Sequence, residues 1–148
     1  MVDKDKILSN IDELRIYLDE LGKIMPADFD EYTHSIEKKR ACERLLQISI
    51  ETLIDISNII ISGLKLGIPS DEDIVIEKLR AKKIISEEMS KIFKKMKGFR
   101  NLLVHKYGEV DDEMVFESLS DIDDFERFIK EIMVFLKKNK GSKDERKL

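Results

Sequence analysis

The stretch "KKRACERLLQISIETLIDISNIII", residues 38–61, decides the fold. No glycine or proline interrupts it, and Cys42, Leu45, Leu46, Leu53, Ile56 and Ile60 recur at helical spacings rather than alternating as in a strand. Together with Ile48, Ile54 and Ile59 they make an apolar surface too wide for one neighbour. Such a helix buries two sides, as the centre of a bundle or a dimer-forming helix does. Ser49, Glu51, Thr52, Asp55, Ser57 and Asn58 are expected to keep its remaining side wet.

Toward the N-terminus, Asp28 is the expected cap of this segment, with a bend over 32–37. Before it, Ile7, Ile11, Leu14, Leu18 and Leu21 predict an amphipathic helix ending near Gly22 and the Met25-Pro26 turn. Toward the C-terminus, Gly63, Gly67 and Pro69 mark a loop, and "PSDED" supplies a cap and an acidic first turn for a helix starting near Asp71. Helical character continues to about residue 104, interrupted near 82–86, where Ser86 offers a fresh cap. Ile92, Phe93, Met96, Phe99, Leu102 and Leu103 form its expected buried stripe. Asp111 or Asp112 opens a last helix reaching Leu136, and the polar run after it reads as a frayed tail. The expectation is an all-α, antiparallel four- to five-helix bundle: one domain over residues 1–138 and a flexible charged tail over 139–148.

With 148 residues the chain is long enough to bury a core without disulfides or metal, and its single cysteine, Cys42, has no partner in the chain. Charges stand where a signal peptide would be apolar, and no window approaches the roughly 18 uncharged apolar residues of a membrane span. These features predict a cytoplasmic protein that does not enter a membrane.

The formal net charge of -4 is unevenly spread: -7 over residues 1–79, +7 over 80–106 and -4 over 107–148. The basic block comprises Arg80, Lys82, Lys83, Lys91, Lys94, Lys95, Lys97, Arg100 and Lys106. It is suited to attract a polyanion, although a run of this kind is also what a solvated helix face looks like.

That block leads into "GFRNLLVHKYGEVDDE", residues 98–113, which holds one of two histidines in the chain. Asn101 and His105 lie four residues apart on one helix face, with Arg100 beside them and Gly108 ending the helix next to Tyr107. Arg offers a fixed charge and a fork of donors that matches a phosphate, and His exchanges protons near neutral pH. The pair suits attack of an RNA 2′-hydroxyl on the adjacent phosphate, with His105 moving the proton and Arg100 stabilising charge. The plainer alternative is that Arg100 pairs with a carboxylate and His105 caps its own helix.

The run Arg100-Asn101-Leu102-Leu103-Val104-His105-Lys106-Tyr107 resembles the R-x4-H-x-Y signature of the HepT-like branch of the HEPN superfamily. "KMKGFRNLLVHKYGEVDDEMVFESL" is similar to that family's active-site segment, and the opening stretch to its long second helix, so the likeness spans about residues 7–135. The resemblance implies a HEPN-type bundle forming a two-fold homodimer, with both motifs facing one cleft. It implies a metal-independent endoribonuclease, the toxin of a type II-like toxin–antitoxin system. Its partner would be a minimal nucleotidyltransferase antitoxin able to transfer AMP to Tyr107. Arg100 and His105 would be catalytic, and Asn101 and Tyr107 would support the substrate. A dimer would also let two His105 side chains divide the base and acid roles.

Other candidates carry less. His34 beside Asp30 and Glu31 reads as a surface or hinge residue, Cys42 as a small buried hydrophobe, and Tyr17 and Tyr32 as packing groups. Two histidines without a cysteine pair or H-E-x-x-H spacing do not make a zinc site, and Gly63 and Gly67 do not make a phosphate loop. No cofactor is therefore expected, and ATP would be the partner's substrate. Competing with the nuclease are a non-catalytic nucleotide- or RNA-binding module and a purely structural helical dimer.

Overall fold

The computed structural model describes residues 1–69, 71–105 and 110–146, with side chains up to residue 139. Seven helices form among them: α1 (Lys4–Ile24), α2 (Phe29–Thr33), α3 (Ile36–Gly63), α4 (Glu72–Ala81), α5 (Glu87–His105), α6 (Asp112–Ser120) and α7 (Asp123–Arg146). The fold is all-helical, with more helices than the expected four or five. The extra elements arise where a cap restarts the chain. Asp28 caps only the five-residue α2, and Ser35 then receives the Lys38 amide at the start of α3. Ser86 receives the Met89 amide and divides α4 from α5, at the interruption and cap expected from the sequence. The expected last helix breaks at Asp121, leaving α6, capped by Asp111, and α7. The helical backbone of α7 runs on to Arg146, through the stretch read from sequence as a tail.

α3 is the central helix and packs against α1, α2, α4, α5 and α6. Its fully buried Cys42, Leu53, Ile56 and Ile60 meet Ile7, Leu14 and Leu21 of α1, Leu79 of α4, and Met89 and Phe93 of α5 in one core. Each such side chain contributes roughly 1.5–3 kcal/mol. The polar side of α3 differs from expectation, because Ser49, Thr52 and Ser57 are buried. Two of these hydroxyls are satisfied by their own helix, Thr52 donating to the Ile48 carbonyl and Ser57 to that of Leu53, both at 2.8 Å, whereas the Ser49 hydroxyl is buried without a partner among the described residues. Only the longer Glu51, Asp55 and Asn58 keep contact with solvent. α3 also contains an 18-residue window of mean hydropathy 1.4, long and apolar enough by length and composition to cross a membrane, although it includes Glu51 and Asp55. Within the bundle 56% of that window is buried, the environment of a core helix.

Two aromatic residues tie the small α2 to α6, through Phe29 against Phe116 (centroids 5.4 Å apart) and Tyr32 against the same ring at 6.0 Å. Tyr32 is wholly buried, so the packing role expected of it holds, and burial holds its hydroxyl well above the usual pKa. Cys42 is likewise buried, its thiol pushed up to about 11 by burial. His34 stays exposed at the end of α2, its Nδ1 2.8 Å from the Asp30 carbonyl.

The chain's start is fastened to the end of α3, where the Met1 ammonium donates to the Gly63 carbonyl at 2.7 Å. A β-carbon on Gly63 would stand 2.6 Å from the Val2 Cα and 2.9 Å from the Met1 oxygen. Gly63→Ala should therefore destabilise the protein by about 1–2 kcal/mol, overcrowding outweighing the better helix propensity of alanine. A urea midpoint equal to wild type would show that this contact yields freely.

Candidate active site

α5 carries Lys91, Lys94, Lys95 and Lys97 of the basic block and the Arg-Asn-His cluster, and α4 holds it in place by ion pairs. Lys97 meets Asp73 at 2.9 Å and Lys94 meets Glu77 at 2.9 Å, while Arg80 engages the same Glu77. The hydrogen bonds from Lys94 and Arg80 hold the Glu77 carboxyl below its usual pKa. Their contribution to folding is thus complete above the ordinary carboxylate range and fades as pH falls through and below it.

The cluster itself divides. Asn101 and His105 share the outward face at the C-terminal end of α5, Asn101 half-buried and His105 exposed. Arg100 turns inward, its side chain only 14% exposed. Its Nη2 donates to both carboxylate oxygens of Glu72, at 2.6 Å for Oε1, and its Nη1 lies 3.8 Å from Glu51 Oε2. Its Nε is buried without a hydrogen-bond partner among the described residues. Of the sequence candidates the fold therefore brings Asn101 and His105 together and sets Arg100 behind them in an acidic clamp. Tyr107 and Lys106 lie outside the described residues.

Glu72 and Glu51 escaped the sequence reading as partners of Arg100. Glu72 sits in the acidic first turn that helix-dipole reasoning already explained, and Glu51 looked like a solvated interruption of α3. The nearby Asp55 carboxyl is raised by partial burial and by the charges of Glu51 and Glu13, against the opposing pull of Arg100. The clamp thus concentrates negative charge around one guanidinium.

The expected apolar stripe of α5 is also only partly buried. Phe93 and Leu103 are core residues, whereas Ile92, Met96, Phe99 and Leu102 line a groove of about 420 Å³. Leu46 and Ile50 of α3, Met114 of α6 and Phe125 of α7 complete its apolar walls, with Lys95, Glu117, Asp121 and Asp124 among its polar lining residues. Among the described residues no group of His, Cys, Asp and Glu is arranged to hold a metal.

With the Arg-x4-His arrangement placed at the end of a helix in an all-α bundle, comparison with known families becomes decisive. The profile described as "Ribonuclease HepT-like" matches residues 7–132. The chain belongs to the ribonuclease HepT-like family.

Among HepT-like relatives, the tRNA nuclease HepT of Aphanizomenon flos-aquae is 36% identical over 104 residues, 70% of this chain and 71% of the relative. The mRNA nuclease HepT of Shewanella oneidensis is 36% identical over 85 residues, 57% of this chain and 64% of that one. The fold matches the tri-AMPylated HEPN toxin of Shewanella oneidensis, solved in complex with MNT antitoxin. The TM-score is 0.82 at 27% identity, with 88% of this chain and 98% of that one covered.

Proposed function

We propose that this HepT-like chain is the RNA-cleaving toxin of a two-component toxin–antitoxin pair, with a minimal nucleotidyltransferase as its antitoxin. The observation that carries the reading is the R-x4-H-x-Y signature of the sequence, whose Arg100–His105 part closes α5 with Asn101 half-buried and His105 exposed on one face. The nuclease relatives and the HEPN toxin–MNT antitoxin complex support it.

In this mechanism His105 accepts the proton of an RNA 2′-hydroxyl, whose oxygen attacks the adjacent phosphorus. The 5′-oxygen leaves and takes up a proton, giving a 2′,3′-cyclic phosphate and a 5′-hydroxyl end. No step requires a metal. A two-fold homodimer would supply a second His105 as the acid. Arg100 offsets the charge of the pentacoordinate phosphorus, and to reach it the guanidinium exchanges a Glu72 oxygen for a phosphate oxygen. Asn101 orients the phosphate or the imidazole. Silencing follows when the Tyr107 hydroxyl attacks the α-phosphorus of ATP held by the partner and pyrophosphate leaves. The added anion then repels RNA two residues from His105.

One observation favours a second reading, a binding module that holds RNA without cutting it: in the single chain Arg100 is committed to Glu72 and Glu51. Incubation of the purified protein with unfractionated tRNA and, separately, with messenger RNA tells the two apart. Fragments are expected from at least one of them. RNA retained on the protein and recovered whole would establish the binding module instead.

A further inference from the structure

The ribonuclease reading leaves unexplained a glycine and a set of lysines on the outward face of α5. Glycine is, after proline, the least favourable residue for a helix interior, yet Gly98 stands in the middle of this one. Its φ is not positive, and a β-carbon built on it would meet nothing within 4 Å, whereas one on Gly63 would collide with the chain's own backbone. Neither conformation nor internal packing calls for glycine here. Gly22 of α1 is equally open, so what distinguishes Gly98 is the charge beside it, where the missing side chain leaves room for a group from outside the chain to approach the helix backbone.

The neighbours of Gly98 indicate the chemistry of that group. At helical spacing its face continues to Asn101 and His105 in one direction and to Lys91, Lys94 and Lys95 in the other. Four residues of the basic block are paired: Arg80 and Lys94 with Glu77, Lys97 with Asp73, Arg100 with Glu72. Lys91 and Lys95 are exposed and form no ion pair among the described residues, and the same holds for Lys82 and Lys83 in the turn leading into α5. Glu88 is engaged by Arg127 at 3.0 Å, which leaves Glu87 as the carboxylate at the far end of this face. From Lys91 to His105 the face runs about 21 Å.

We infer that the outward face of α5 is a docking track for the RNA strand: Gly98 admits the ribose-phosphate backbone against the helix, and Lys91 and Lys95 hold the phosphates upstream of the one presented to His105. The track rests on the ribonuclease reading and adds to it the surface that recognises the polymer. Lysines acting as point charges read the backbone and not the bases, so the track sets affinity and salt dependence rather than sequence preference.

The test measures binding of a short labelled single-stranded oligoribonucleotide over a salt series. The protein carries His105→Ala, so that the RNA stays whole. Lys91→Gln with Lys95→Gln should weaken binding and flatten the slope of log affinity against log salt by about 1.4. Gly98→Leu should weaken binding at least tenfold while leaving the slope and the sedimentation coefficient unchanged. With His105 restored, both variants should cleave tRNA more slowly, mainly through a raised KM. Binding and cleavage equal to the parent in a protein that does cut RNA would overturn the track and leave the nuclease standing. RNA left whole by the otherwise wild-type protein would instead count against the nuclease, with the binding series still deciding the track. If Gly98→Leu dissociates an oligomer while the lysine variant binds normally, the face is a contact between copies and the proposal fails.

Discussion

Replacing His105 by alanine is expected to slow RNA cleavage by about 10²–10⁴-fold, the contribution of one positioned proton-transfer group. The imidazole is exposed at the last residue of α5, so its removal opens no cavity and orphans no buried partner. The urea midpoint and the helical circular dichroism should therefore match wild type. Fragment yield from tRNA against time measures the rate, and denaturation checks the fold. A variant that cuts at the parental rate would remove His105 from the chemistry. One that loses cleavage only by unfolding would show that the exposed histidine carries structure no contact explains.

Arg100→Ala should produce two losses at once. Its guanidinium is largely buried and bonded through Nη2 to both oxygens of Glu72. Truncation leaves the carboxylates of Glu72 and Glu51 facing each other without their cation. A cost of about 1–3 kcal/mol follows, below that of a fully buried pair because both carboxylates are a third exposed and can rehydrate. Cleavage should fall by about 10²–10³-fold, the usual consequence of removing one charge-stabilising donor. Arg100→Lys should recover part of the stability and little of the rate, because an ammonium cannot serve Glu72 and a phosphate with a rigid fork. A double-mutant cycle with Glu72→Gln should give a coupling of about 1–2 kcal/mol. Unchanged stability in Arg100→Ala would mean the Glu72 pair does not form in solution. Full cleavage would make Arg100 a purely structural residue.

The helical fold was legible because the strongest signals were long ones: the uninterrupted apolar run of α3 and the three- and four-residue steps of α1. Chain breaks set by single caps were harder. Ser35 falls within the bend expected over 32–37 but ends α2 outright rather than bending one helix, and Asp121 interrupts a pattern that periodicity alone carries through from α6 to α7. Burial of Thr52 and Ser57 departs from the sequence expectation for a local reason, since composition ranks a hydroxyl as polar even when its own helix supplies the acceptor. The same reason does not extend to Ser49, whose buried hydroxyl has no partner among the described residues. The site shows the same limit. Sequence spacing placed Asn101 and His105 on one face, but whether Arg100 swings toward them or inward depends on Glu72, 28 residues away. No periodicity encodes such a pair.

The central claim is that the chain's own side chains cleave RNA by internal attack of the 2′-hydroxyl. It is tested most directly by incubating wild-type protein and the His105→Ala variant with tRNA in excess EDTA and analysing the fragment ends. Mass spectrometry first establishes that Tyr107 carries no AMP. The account predicts 2′,3′-cyclic phosphate and 5′-hydroxyl ends from wild type alone. Intact RNA in EDTA with cleavage restored by added magnesium, or fragments ending in a 3′-hydroxyl, would contradict it.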